Sequence, residues 1–196
     1  MGLNKQIIKI SAITIFIIII MISMFFIVKY LINKNNINYV YKEYSYEHTQ
    51  DKLDTNTPHT EKDNNLMLKI NNEHVVGIVK IDKINFEGLV YEGTSTSTLN
   101  KGVGHFENSA FFDGNVCLAA HNSNQYWSKL HTLQNEDIIY YTSFLGTRKY
   151  KVTNISKISE TDWSFVENKD KNSISLITCV KGVPSQRLLV QGIEAD

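Results

Sequence analysis

A cysteine at the end of a β-prone run, an arginine eight residues further on and a histidine closing another such run are the residues of this chain best placed to act together. The run Ser-Ile-Ser-Leu-Ile-Thr-Cys closes on Cys179, and Gly182 and Pro184 then force a turn before Arg187 opens the next strand. Cys179 and Arg187 therefore face each other across adjacent strand ends. A thiol becomes an acyl-transfer catalyst when a base or an imidazolium sets its protonation and a donor stabilises the oxyanion. Arg187, always charged and carrying a planar fork of N–H groups, can supply that donor.

Six histidines compete for the role of proton carrier. His48 and His59 fall in a polar N-terminal stretch, and His74, His105 and His131 sit in polar surroundings that suit surface or packing roles. His121 instead ends the run Val-Cys-Leu-Ala-Ala and precedes Asn-Ser-Asn, a strand-end position from which a side chain faces a cleft. If residues 115 to 121 alternate as a strand, Cys117, Ala119 and His121 share one face. Cys117 then reads either as a small buried apolar residue or as a second thiol able to pair with Cys179 and silence it. The two cysteines have neither a CxxC pair nor the histidine spacing of a zinc site.

Taken together, Leu-Ile-Thr-Cys at 176 to 179, Arg187, and Leu-Ala-Ala-His at 118 to 121 resemble the three signature elements of sortases. The resemblance runs over about residues 75 to 193 and includes Gly-Val-Gly-His-Phe at 102 to 106 and Thr-Arg-Lys-Tyr-Lys-Val at 147 to 152. It implies a closed eight-stranded β-barrel that cuts a Leu-Pro-x-Thr-Gly-like sorting signal between Thr and Gly. Cys179 would be the nucleophile, His121 the general acid and base, and Arg187 the oxyanion or substrate clamp, with Thr178 adding a substrate-binding hydroxyl or backbone donor. The implied acceptor is an amine of a cell-wall precursor or of a pilin. The only prolines are Pro58 and Pro184, so the Asp-Pro-aromatic lid of pilin-polymerising class C enzymes is missing. The short link between Cys179 and Arg187 and the Gly-Val-Gly-His-Phe stretch lean towards class D, with class A as the alternative. Calcium-activated class A members carry acidic ligands near the groove; Asp113, with Glu107 and Glu167 as loose neighbours, is an incomplete match, and no cofactor is assigned.

These groups need a scaffold. Short Val-, Ile-, Tyr- and Thr-rich runs separated by Gly, Asn or Asp predict an all-β domain over residues 66–196. The expected strands are Val75 to Ile81, Glu87 to Tyr91, Asn115 to His121, Asp137 to Thr142, Arg148 to Ile158, Ser173 to Thr178 and Arg187 to Ile193. A turn or two of helix is expected in Asn124 to Leu133. Seven short strands suit a barrel or a sandwich.

Ahead of this domain, Ile10 to Val28 is a run of 19 residues without a charge, bounded by Lys9 and Lys29. At 1.5 Å per residue it spans the roughly 30 Å hydrocarbon layer, and no small-x-small cleavage signal follows it. The expectation is a short cytoplasmic tail over 1–9, a transmembrane signal anchor over 10–32 and an external C-terminal domain. Residues 33–65, rich in Asn, Lys, Glu, Asp and Thr with Thr57-Pro58 near the end, read as a flexible stalk, the alternative being a short helix from about Tyr39 to Leu53. Lys+Arg and Asp+Glu both total 20, so no basic surplus exists to neutralise a phosphate backbone, and nucleic acid is not an expected partner. Two rivals stay open at this point: a thiol hydrolase using the same three groups, and an anchored β-domain that only binds, with Cys179 inert.

Overall fold

The structure is a computed structural model that describes residues 2–51, 68–70, 73–167 and 169–195. Helix α1 (Gly2–Asp51) carries the apolar run and is long and apolar enough to cross a membrane. It does not stop where the charge-free run stops. Tyr, Lys, Glu and Ile positions from 33 onward continue it to Asp51, across much of the segment expected to be a flexible stalk. The reason lies in its far end. Val40 and Tyr44 are buried, Tyr44 meets Phe144 edge-on at 6.4 Å, and Tyr41 donates to Glu87 Oε1 at 3.0 Å. Tertiary packing thus favours the helix that the sequence left open from about Tyr39 over the flexible stalk. Thr57-Pro58, His59 and the rest of that segment from residue 52 lie outside the described residues.

The chain divides into two units, residues 1–39 and residues 40–196. Among the described residues the second contains nine strands: β1 (Leu68–Ile70), β2 (Glu73–Ile81), β3 (Phe86–Glu92), β4 (Val103–His105), β5 (Asn115–Ala119), β6 (Ile138–Ser143), β7 (Gly146–Ser159), β8 (Ser173–Val180) and β9 (Val183–Glu194). Their order is β1-β2-β3-β4-β5-β8-β9-β7-β6, and β6 pairs back onto β2 through Ile78↔Thr142, Val79↔Tyr141 and Lys80↔Tyr140. Strands β2 to β9 therefore close an eight-stranded barrel, with β1 appended to one end of β2. The β3–β4 and β5–β8 pairs are parallel and the others antiparallel, so the barrel is mixed.

All seven expected strands are present. The two that composition did not announce, β1 and β4, are three residues each, and β4 has glycine at its centre and just before it. The expected helical turn in 124–133 appears as turns followed by a 3-10 segment at Leu130–Thr132, and it sends Trp127 and Leu130 into the barrel interior. That interior is aliphatic and aromatic: Val79, Val90, Val116, Leu118, Tyr141, Ile174, Leu176 and Val190 meet there.

Strand β8 is buried on both faces from Ser173 to Thr178. Ile174 and Leu176 point inward; Ile177 points outward into a second cluster with Cys117, Ala119 and Leu189, roofed by Phe165. Phe165 belongs to a short 3-10 segment, Ser164–Val166, in the β7–β8 connection, and Phe106 and Trp163 complete an aromatic trio around it with centroids 5.3 to 6.0 Å apart. The roof loop is pinned by Asn115, whose amide donates to the carbonyls of Phe165 (2.7 Å) and Glu167 (3.0 Å).

Candidate active site

Strand alternation puts Cys179 on the outer face of β8, two residues beyond Ile177, where β8 emerges from under the roof loop; its side chain is exposed. Arg187 is its partner in the antiparallel β8–β9 register, as the turn between them led one to expect. The strand, however, starts at Val183 rather than at Arg187. Val180 pairs with Val183 around a two-residue turn, and Gly182, at φ +78°, meets that turn's need for a positive dihedral. The register breaks between the Val180↔Val183 and Cys179↔Arg187 pairs, so Pro184, Ser185 and Gln186 bulge outward on β9, where the missing N–H of proline costs no β8–β9 ladder bond.

His121 lies two residues past the end of β5. Parallel pairing of β5 with β8, extended by Ala120 N–H donating to Ile177 O at 3.3 Å, brings it to the same end of the barrel as Cys179. Cys179 and His121 line one cleft of about 940 Å³ together with Asn122, Ser123, Asn124, Ser128, Lys129, His131, Lys157, Lys181 and Leu188. Arg187 does not line it. Its guanidinium instead reaches the carbonyls of Pro184 (2.6 Å) and Gln186 (3.0 Å) and the carboxylate of Glu160 (3.1 Å). The thiol and the imidazole share a cleft that the guanidinium does not line.

Two asparagines that nothing in the sequence singled out hold this site. Asn122 donates from Nδ2 to the Cys179 carbonyl at 2.7 Å, and Asn100 offers Oδ1 to His121 Nε2 at 3.2 Å. An amide oxygen only accepts, so His121 carries its proton on Nε2 in this contact, and Nδ1 is left to exchange a proton with a reacting group. Tyr126 donates to the Asn100 carbonyl at 3.1 Å and has its ring 6.4 Å from that of His121. Thr178 faces inward, 3 % exposed, and its hydroxyl donates to Ala120 O at 2.7 Å. That hydroxyl is thereby committed to fastening the backbone just before His121.

The remaining histidines separate clearly. His74 is exposed on β2, and His131 donates from Nδ1 to Ser128 O at 2.8 Å beside the cleft. His105 is wholly buried: Nδ1 meets Glu92 Oε2 at 2.9 Å, Nε2 meets Ala110 O at 3.1 Å, and the ring stacks on Phe111 at 4.7 Å. A polar local sequence concealed that burial.

Cys117 is fully buried beneath Phe165, with Sγ 3.5 Å from that residue's carbonyl; burial pushes its thiol up to about 12. It is opposite Ser175, four residues along β8 from Cys179. At about 3.3 Å per residue along β8 and about 4.8 Å across the strand pair, the two cysteine Cα atoms are roughly 14 Å apart, about twice the reach of a disulfide, and both are free thiols. Of the acidic residues weighed as metal ligands, Asp113 is taken up by an ion pair with Arg148, and Glu107 lines a separate cleft with Glu92 and Trp163. Among the described residues no three His, Cys, Asp or Glu side chains form a group that could hold a metal ion, so Asp113, Glu107 and Glu167 are not assembled as a ligand set.

A sortase domain matches residues 79–195, more than half of the chain. The chain belongs to the sortase family. Among its relatives, sortase A of Bacillus anthracis is 30% identical over 128 residues, which cover 63% of this chain and 61% of that protein. Sortase D of Bacillus subtilis is 29% identical over 106 residues, covering 53% of each. The chain thus spans between half and two thirds of the length of these curated relatives. The solved structure of Listeria monocytogenes sortase A superposes with a TM-score of 0.58 at 28% identity, covering 62% of this chain and 88% of that one. This sortase therefore has relatives named sortase A and relatives named sortase D.

Proposed function

We propose that this chain is a membrane-anchored cysteine transpeptidase that cuts a Leu-Pro-x-Thr-Gly-like sorting signal between Thr and Gly and joins the Thr carboxyl to an amine. The observation that carries the reading is an exposed Cys179 sharing one cleft with His121 at a barrel end, with Arg187 directly across the strand pair. The Cys179 thiolate attacks the Thr carbonyl carbon; a C–S bond forms and the carbonyl electrons move onto oxygen, where an Arg187 N–H stabilises them. Collapse breaks the C–N bond, and the glycine amine leaves with a proton from the His121 imidazolium. In the second half-reaction an incoming amine gives its proton to the neutral imidazole and attacks the thioester, restoring the thiolate. A cell-wall precursor is the acceptor we favour, with a pilin amine as the alternative. The charge-free run within α1 supports a single-pass anchor at the cell membrane, with residues 1–9 cytoplasmic and the barrel external.

The test is cleavage of a fluorogenic Leu-Pro-x-Thr-Gly peptide pool by the full-length chain in detergent, with and without an added amine. The expected result is amine-linked product from the wild type, none from Cys179→Ala, and a fall of about a hundredfold or more in Arg187→Lys at unchanged fold. Hydrolysed peptide alone, even at high amine, would make the chain a thiol hydrolase. A folded wild type that cuts no member of the pool would leave the binding-domain reading.

A further inference from the structure

The guanidinium of Arg187 is the most heavily engaged of the three groups of the proposed site, and its partners come from two different elements. Pro184 O and Gln186 O belong to the outward bulge at the start of β9, and both accept from Nη1. Glu160 lies one residue past the end of β7 and accepts from Nη2 at 3.1 Å. Glu160 is itself fastened to the same bulge, because its N–H donates to Ser185 O at 2.9 Å. Strand β7 also pairs with β9 at Ile158↔Arg187 and Ser159↔Gln186, so the carboxylate is delivered by the strand that flanks Arg187 on the side away from Cys179. Of the five N–H groups of the guanidinium, three are taken by these acceptors, which leaves Nε–H and one Nη2–H.

We propose that Glu160 is a positioning residue for Arg187: it holds the rear of the guanidinium so that the two unoccupied N–H groups are presented towards the acyl carbon on Cys179. This rests on the reading of Arg187 as the oxyanion or substrate donor. An arginine side chain left loose carries a large rotamer entropy, and a donor stabilises a transient oxyanion best when it is already oriented before the charge forms. Arg187 has only 27% of its side chain exposed and is tied at three points, while Glu160, at 45%, is reachable by water, so the pair is held by geometry more than by burial. The bulge of Pro184, Ser185 and Gln186 has a purpose in this view. It turns two carbonyls back onto the arginine that follows them.

Two measurements test this. In the full-length chain, Glu160→Gln is expected to lower the rate of acyl-enzyme formation about five- to tenfold, in kcat rather than KM, with Tm unchanged. In the Arg187→Lys background the same change is expected to cost less than about twofold, because a residue that acts through the guanidinium has nothing left to position. Glu160→Asp, with its carboxylate one methylene short, should recover part of the rate. Independently of any substrate, ¹⁵N spectra of the arginine side chains should show slow rotation about the Arg187 Cζ–Nη bonds in the wild type and faster rotation in Glu160→Gln. A wild-type rate in Glu160→Gln, an increased rate, or an equal loss in both backgrounds would each overturn the proposal while leaving Arg187 in the mechanism. Wild-type turnover in Arg187→Lys alone would instead remove Arg187, and the proposal with it.

Discussion

Two thiols of one chain end up with opposite chemistry because of what covers them. Cys117 lies under Phe165 on the outer face of β5, and desolvation, which disfavours the thiolate, raises it to about 12; the hydroxyls of Ser109 and Ser175 pull weakly the other way. Cys179, further along the same face, clears the roof and meets solvent. The sign of the shift fixes a pH dependence. A group raised in this way stays a thiol until the pH approaches its folded value, so Cys117 in the folded chain is unreactive at pH 8 and still largely so at pH 10. Iodoacetamide under native conditions should therefore add one equivalent, mapped by mass spectrometry to Cys179, and a second only after denaturation. Rapid native labelling of Cys117 would mean that the roof loop opens.

At the scale of elements, the strands bring the chemistry together and short irregular pieces aim it. Helix α2 (Thr96–Leu99) is a single turn, capped at its start by Ser95, whose hydroxyl accepts from Thr98 N–H at 3.2 Å. Its C-cap is Asn100, the residue that faces His121, so the turn presents a side-chain amide to the imidazole. Asn100→Ala removes the acceptor that keeps the proton on Nε2 and frees the ring to rotate. We expect kcat to fall about five- to tenfold with little change in KM or in Tm, since a single exposed hydrogen bond contributes about 1 kcal/mol. Steady-state cleavage of the sorting-signal peptide checks this, and a wild-type kcat would show that His121 needs no such partner. None of this was legible in Thr-Ser-Thr-Leu-Asn, which reads as a polar loop; the role of Asn100 comes from a contact 21 residues away.

At the scale of the molecule, barrel closure is the feature on which every site distance depends. The seam is the β2–β6 pair, and Gly77 sits beside it: a Cβ there would lie 2.6 Å from Thr142 O and 2.8 Å from the Tyr141 ring. Backbone oxygen cannot yield as a flexible side chain can, so Gly77→Ala must push β6 outward. The expected outcome is a loss of about 2 to 3 kcal/mol in unfolding free energy, measured by urea denaturation of the full-length chain in detergent, in the range of overpacked core sites. Gly88→Ala provides a contrast, since the nearest atoms to its Cβ would belong to the Phe86 side-chain ring and not to backbone. A Gly77→Ala variant as stable as the wild type would place the closure elsewhere.

What the sequence determined by itself was local and periodic. Seven strands were legible from β-branched and aromatic runs, the apolar helix from 19 uncharged residues, and the candidate groups from a cysteine, a histidine and an arginine at strand ends. Each of those signals is contained within about ten or twenty residues, where side-chain period and turn residues govern the backbone. Tertiary structure alone decided the rest: the closing of β6 onto β2, the burial of His105 and Cys117, the inward turn of the Thr178 hydroxyl, the helix beyond residue 33, and the grip of Glu160 on Arg187. These depend on contacts between residues distant in the chain, and a side chain's burial and partners are properties of what folds over it, which composition near that residue does not encode.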